Sequence, residues 1–197
     1  MSELLKKTNT KRLAACLAVP LAVGSVVGKA ISKDVKEYSE LDKPNFAPPK
    51  CAFPVAWTTL YTLMGLAKYK ALEAADEEQK TTVRKSDGLQ LSLNFIWSFL
   101  FFKFHLRGTA LIEMTILLLT ILYTAKEYAK VSKTAAKLMI PYILWVSFAL
   151  CLNASVQKQV TLVTKKKTRY LILSSTLFFY CYLITSAYSL MDRHSSH

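Results

Sequence analysis

The sequence has little of what soluble enzymes and disulfide-rich proteins use. It has four cysteines, none in a C-x-x-C pair, which indicates neither a disulfide framework nor a zinc site. Its three histidines show no ligand-like grouping, and its five glycines form no phosphate-binding loop. The sequence also lacks a Ser/His/Asp set and paired carboxylates within a helix. These absences predict a protein that is not an enzyme and holds no metal.

Long polar regions are scarce as well. The hydrophobic fraction is 52% and the mean hydropathy is +0.25, and apolar stretches near the roughly 20 residues that a transmembrane helix needs recur along the chain. The net charge is +13, but lysine and arginine are spread among the connections and form no stripe for nucleic acid. Basic loops are ordinary beside anionic headgroups. The composition predicts an all-α membrane protein whose partner is the lipid bilayer.

The apolar stretches divide the chain into three parts: a basic tail (1–12), a transmembrane bundle (13–158), and a basic linker with an extra hydrophobic helix (159–197). Helices are predicted at about 13–31, 51–72, 89–106, 109–125, 135–156 and 170–191. Residues 73–88 and 126–137 are predicted as charged links, and Arg107-Gly108 as a tight turn. The first segment is interpreted as a retained helix, with a cleaved targeting segment as the alternative. Gly24 and Gly28 form a G-x-x-x-G pattern, which either lets helix backbones approach closely, as at a homodimer contact, or is a pair of small residues in an apolar run.

The stretch 41–61 holds four of the six prolines and leads directly into the second helix. Pro44, Pro48 and Pro49 remove backbone donors and favour extended conformations, so this connection is stiff. With Phe46 on it, the connection is predicted to cover whatever the helices enclose.

Two predicted helices carry aromatic stripes at helical spacing. The stripe on the second helix consists of Trp57, Tyr61 and Met64, and the stripe on the fifth consists of Pro141, Trp145, Phe148 and Leu152. Either stripe fits core packing or a ligand wall, and the two are expected to face each other.

Polar side chains inside the apolar segments add a second signal. Asn94 and Ser98 share one face of the third helix, where they serve either interhelical hydrogen bonds or the lining of a cavity. Glu113 is an intramembrane acid and therefore a functional candidate. Its alternative role is structural, reaching headgroups or pairing with Arg107 or Lys103.

Four blocks of sequence resemble the translocator protein family, also called TspO/MBR, tryptophan-rich sensory proteins or peripheral benzodiazepine receptors. YSELDKPNFAPP resembles the family's first-loop pattern, and CAFPVAWTTLYTLMGLA its second-helix signature. LQLSLNFIWSFLFF and IPYILWVSFALCLNASV are similar to the third- and fifth-helix blocks. Together the blocks span 38–156 in the family's order and spacing.

The resemblance implies a bundle of five transmembrane helices around a pocket for porphyrin, heme or sterol, here followed by a sixth hydrophobic helix. No cofactor is required; protoporphyrin or heme would be a ligand. The residues expected to line or close the pocket are Tyr38, Pro44, Phe46, Trp57, Tyr61, Asn94, Trp97, Trp145, Phe148 and Asn153. A homodimer is implied by the resemblance alone, as is location in the mitochondrial outer membrane or a bacterial cytoplasmic membrane.

Two departures from the family pattern bear on function. Glu37 stands where the family usually has a loop tryptophan, which weakens a light-dependent porphyrin-degrading reaction as the alternative function. Phe99 replaces a proline, which is expected to straighten the third helix. A third alternative, a scaffold or stress regulator, rests on the extra C-terminal segment.

Overall fold

The structure is a computed structural model that describes residues 9–35, 49 and 52–162, with side chains as far as Ser155. Regular structure in these ranges is entirely helical. The helices are α1 (Thr10–Ala30), α2 (Ala52–Ala74), α3 (Glu77–Ser98), α4 (Arg107–Val131), α5 (Lys133–Leu138) and α6 (Ile140–Leu162), and a π-helical segment, Phe99–Lys103, follows α3. Glu37, Tyr38, Pro44, Phe46 and the predicted helix 170–191 lie outside the described residues.

The apolar helices confirm the all-α membrane class. Among the described residues, Thr10–Ala30, Arg107–Val131 and Lys133–Ser155 are long and apolar enough to cross a membrane. Helices α2 and α3 pack in the same bundle but carry more charge, because α2 contains Lys68, Lys70 and Glu73 and the first half of α3 is polar. All of these helices share one apolar core.

Helix α3 begins much earlier than predicted, since residues 77–88 are its first three turns and not a charged link. Asp76 caps the helix by accepting a hydrogen bond from the backbone N–H of Gln79, whose side chain accepts from the Asp76 N–H. Glu77 lies in the first turn, where the hydrogen bond from Lys80 lowers its pKa. Charged residues with good helix propensity extend the helix even though hydropathy alone does not reveal it.

The connection between α3 and α4 also differs from the prediction. Arg107 and Gly108 lie inside α4, and the chain reverses over 104–106 instead, where His105 adopts a positive φ of 54°. Phe99 is expected to straighten the third helix, but the α-helix does not continue through it. The α-helical hydrogen bonding of α3 ends at Ser98, and the π-helical segment begins at Phe99. A π turn shifts the rotational position of every residue after it.

The second predicted link, 126–137, is mostly helical. Helix α4 continues to Val131, and Ser132 alone separates it from α5, accepting a hydrogen bond from the Ala135 N–H at 3.3 Å. Pro141 is the second residue of α6, where a missing backbone donor costs little. The tight connection holds α4, α5 and α6 together as neighbours in the bundle.

Helix α1 packs closely along α2. A Cβ placed at Gly65 would lie 2.6 Å from the backbone oxygen of Cys16, so the backbones meet at this glycine. The ring of Tyr61 fills the space beside Gly24, whereas no atom lies within 4 Å of a Cβ placed at Gly28. An ion pair between Arg12 and Glu73, at 2.6 Å, joins the same two helices near their ends.

Candidate ligand-binding site

The two predicted aromatic stripes face each other across α2 and α6, as expected. The ring centroids of Trp57 and Trp145 are 6.4 Å apart and nearly perpendicular, and Phe53 meets Trp145 edge-on at 6.1 Å. Trp57 stacks on Tyr61 at 5.4 Å, and Trp145 lies 6.0 Å from Phe148. Trp57, Trp145 and Phe148 are half-buried. We call these five rings the α2–α6 aromatic site.

Asn94 joins this site to α3 through two hydrogen bonds. The Tyr61 hydroxyl donates to Asn94 Oδ1 at 3.0 Å, and Asn94 Nδ2 donates to the Tyr142 hydroxyl of α6 at 3.1 Å. Asn94 is fully buried, and Ser98 donates to its backbone oxygen. The interhelical role of Asn94 is therefore the one that the structure shows, and hydrogen bonding to a ligand stays a prediction.

The Asn94 bridge should contribute measurably to stability. We expect Tyr142→Phe to lower the free energy of unfolding by about 1 kcal/mol, because the buried Asn94 Nδ2 group loses its acceptor. Tyr123→Phe is the control, since Tyr123 is 50% exposed on α4. Unfolding by SDS titration in mixed micelles measures both; equal stability of the two variants contradicts a contributing bridge.

Trp97 lies apart from the α2–α6 aromatic site. It stacks on Phe101 at 5.4 Å and meets Phe102 edge-on at 5.6 Å, and its indole nitrogen is buried without a hydrogen-bond partner in the described residues. Asn153 is likewise buried, with neither amide atom partnered in the part of the chain described. The structure thus groups Trp57, Tyr61, Asn94, Trp145 and Phe148 but places Trp97 in a second aromatic cluster.

A buried charged cluster at α2, α3 and α4 was missed in the sequence. Lys68 Nζ lies 2.7 Å from Asp87 Oδ2, and the Tyr128 hydroxyl and the Gln90 amide donate to Asp87 Oδ1 at 3.1 and 3.3 Å. Lys68 and Asp87 line a cleft of about 10 Å³, the space of one water, between α1, α2 and α3. Helical spacing could have revealed it, since Lys68 follows Tyr61 by seven residues and Asp87 precedes Asn94 by seven.

Glu113 does not make the predicted ion pair. Only 8% of the residue is exposed, neither carboxylate oxygen has a hydrogen-bond partner among the described residues, and no ion pair joins it to Arg107 or Lys103. The headgroup alternative is also wrong, because both carboxylate oxygens are buried within the protein. Within the described part of the chain, this leaves an acid without a partner on α4, a helix long and apolar enough to cross a membrane.

Comparison with known proteins gives a consistent result. The sequence model of the TspO/MBR family matches residues 16–159. The chain is 36% identical over 146 residues to the tryptophan-rich protein TspO of Chlorobaculum tepidum, covering 73% of this chain and 92% of that protein. It is 35% identical over 139 residues to the translocator protein homolog of Schizosaccharomyces pombe (68% and 84%), and 31% identical over 137 residues to the human translocator protein (67% and 80%).

Proposed function

Because the chain belongs to the TspO/MBR family, we propose that it binds a flat apolar ligand, a tetrapyrrole or a sterol, at the α2–α6 aromatic site and transports or senses it. The observation that carries the proposal is the Trp57–Trp145 contact at 6.4 Å, flanked by Phe53 and Phe148. Half-buried indole rings offer large, polarisable faces on which a macrocycle stacks, and the apolar area buried would supply most of the affinity.

The electrostatics of this site suit such a ligand. The rings that form it are uncharged, and the polar groups next to it, Tyr61, Asn94 and Tyr142, are already hydrogen-bonded to one another. The flat apolar body of a ligand would therefore replace ring–ring contacts with ring–ligand contacts. Tyr38, Pro44 and Phe46 would then close over the ligand from the proline-rich connection.

The names of the relatives favour translocation or sensing over catalysis. The matched proteins are called translocator, tryptophan-rich or tryptophan-rich sensory proteins. The protein is an integral membrane protein on family and helix grounds. We place it in a mitochondrial outer membrane or a bacterial cytoplasmic membrane, with a homodimer as its proposed assembly.

Replacing both indoles should abolish tight porphyrin binding. We expect the double variant Trp57→Leu, Trp145→Leu to bind protoporphyrin at least tenfold more weakly, because stacking on an aromatic ring contributes about 1–3 kcal/mol per contact. Binding is followed by the porphyrin's own absorption and emission in lipid nanodiscs, since removing tryptophans also removes the protein's emission.

Tyr123→Leu provides the control for porphyrin that partitions onto any aromatic surface, because Tyr123 is half-exposed on α4. This variant should bind like the unmodified protein. Unchanged affinity in the double tryptophan variant would remove the α2–α6 aromatic site from consideration. Recovery of intact porphyrin after illumination, measured in the same samples, is the expected result for a protein that does not degrade it.

A further inference from the structure

Glu113 is a buried carboxylate that the proposed function does not use. It is 8% exposed on α4, and both of its oxygens lack hydrogen-bond partners in the described residues. Holding an unpaired carboxylate away from water inside a membrane protein is costly, so a charged or donating partner normally accompanies it. The described lysines and arginines supply none.

The pairing of α3 with α4 fixes which residues share the depth of Glu113. The Thr124 hydroxyl donates to the backbone oxygen of Ser86 at 3.2 Å, so these two residues lie at the same depth on the antiparallel helices α4 and α3. Trp97 lies eleven residues after Ser86, and Glu113 lies eleven residues before Thr124. At a rise of 1.5 Å per residue, both are about 16 Å from the aligned pair. Glu113 and Trp97 are therefore level in the bundle.

Aromatic rings surround Trp97 at this depth. The ring centroids of Trp97, Phe101 and Phe102 are 4.9–5.6 Å apart, and the π-helical segment brings Phe101 and Phe102 onto the same cluster. The Asn94–Tyr142 hydrogen bond aligns α6 with α3, so Ser147 is within about one helical turn of the same level. The Ser147 hydroxyl is also buried without a partner in the part of the chain described.

A buried carboxylate at the same depth as a cluster of aromatic rings has the chemistry that recognises an organic ammonium group. The carboxylate supplies the opposite charge, aromatic faces attract the cation through their quadrupoles, and a hydroxyl accepts one of the ammonium protons. We propose that Glu113, Trp97 and Ser147 form a second binding site, between α3, α4 and α6, for a ligand that carries a protonated amine on an aromatic or aliphatic body.

This site differs from the α2–α6 aromatic site in its walls and in its charge. Its ligand brings the cation that the described residues do not supply to Glu113, whereas a tetrapyrrole or sterol offers no such group. The rings also differ, because the α2–α6 aromatic site is built on Trp57 and Trp145 and the second site on the cluster of Trp97 with Phe101 and Phe102. Binding of an amine ligand therefore tests this second site independently of the porphyrin experiment.

The test compares 2-phenylethylamine with 2-phenylethanol, which has the same body without the charge. Binding to the full chain in nanodiscs is measured by calorimetry at neutral pH, with empty nanodiscs subtracted. We expect saturable amine binding that is at least tenfold tighter than alcohol binding, and at least tenfold weaker in Glu113→Gln. Trp97→Leu should weaken the amine about fivefold, because a desolvated cation–π contact is lost.

Glu78→Gln is the matched control, since Glu78 is an exposed acid at the start of α3. It should leave amine binding unchanged, and Glu113→Gln should leave protoporphyrin binding and thermal stability intact, which shows that the fold survives. Amine binding that is absent in the unmodified protein, retained in Glu113→Gln, or matched by the alcohol would overturn the proposal.

Discussion

Asp87→Leu is expected to lower the free energy of unfolding by about 3 kcal/mol, because removing one partner of a buried ion pair strands the other. The Asp87 side chain is 6% exposed, forms an ion pair with Lys68 and accepts hydrogen bonds from Tyr128 and Gln90. Leucine leaves the Tyr128 hydroxyl and the Gln90 amide without their acceptor and Lys68 without its counter-charge. For a protein of this size the loss corresponds to a decrease of about 6–12 °C in the unfolding midpoint.

A double-mutant cycle separates the ion pair from its surroundings. Lys68→Met leaves a buried carboxylate and should destabilise, but the double variant Lys68→Met, Asp87→Leu removes both charges and should be more stable than the sum of the single losses by at least about 1 kcal/mol. Glu77→Gln is the control, since Glu77 pairs with Lys80 at an exposed position where solvent screens the interaction, and its loss should be much smaller than that of Asp87→Leu. Strict additivity of the two single losses would show that Lys68 and Asp87 do not stabilise each other.

Gly65→Ala should be the most damaging of the glycine substitutions, at about 2–3 kcal/mol, because added volume in a packed interface forces backbone to move. A Cβ there would stand 2.6 Å from the Cys16 oxygen and 3.1 Å from the Leu17 Cα, and both are backbone atoms that cannot rotate away. The change should loosen α1 from α2, the two helices that these atoms join.

Gly88→Ala provides the opposite control. Gly88 lies inside α3 with no atom within 4 Å of an added Cβ, so alanine should stabilise by up to about 1 kcal/mol through helix propensity. Thermal unfolding and limited proteolysis of both variants in the same nanodiscs measure the difference. If Gly65→Ala and Gly88→Ala changed the unfolding midpoint in the same direction, the close approach of α1 and α2 at Gly65 would be contradicted.

Apolar periodicity identified the helical cores and the facing aromatic stripes because both depend on spacing within one segment. Trp57 and Trp145 are examples: each lies on a stripe, and the structure puts the stripes in contact. Hydropathy did not predict the helical segments that are polar, because their helix formation does not depend on apolar residues. The charged turns of α3 and the lysine-rich end of α4 are helical through propensity and capping, as the Asp76 capping box and the Ser132 cap show.

The partners of buried polar groups required the assembled bundle. Asp87 lies in residues 73–88, which hydropathy predicts as a charged link, so the contact with Lys68 emerges only when helical spacing is extended back from Asn94. The ion pair predicted for Glu113 is wrong for another reason. Arg107 is close in sequence, but six residues of helix, about 1.7 turns, put the two side chains on different faces of α4. The separation of Trp97 from Trp57 depends on how α3 is rotated against α2, which the family motif does not encode.

The Tyr61 ring fills the space that a side chain at Gly24 would need. The evolution of the aromatic site therefore depends on a residue of another helix, α1. A side chain at Gly24 would overlap the ring of Tyr61, the ring that stacks on Trp57 and whose hydroxyl donates to Asn94. The two positions therefore cannot drift independently over evolutionary time. A methyl group gained at position 24 displaces the ring, and Trp57 and Asn94 then lose a neighbour although neither has mutated. Variation in ligand preference among descendants of this chain can thus begin at a glycine on α1.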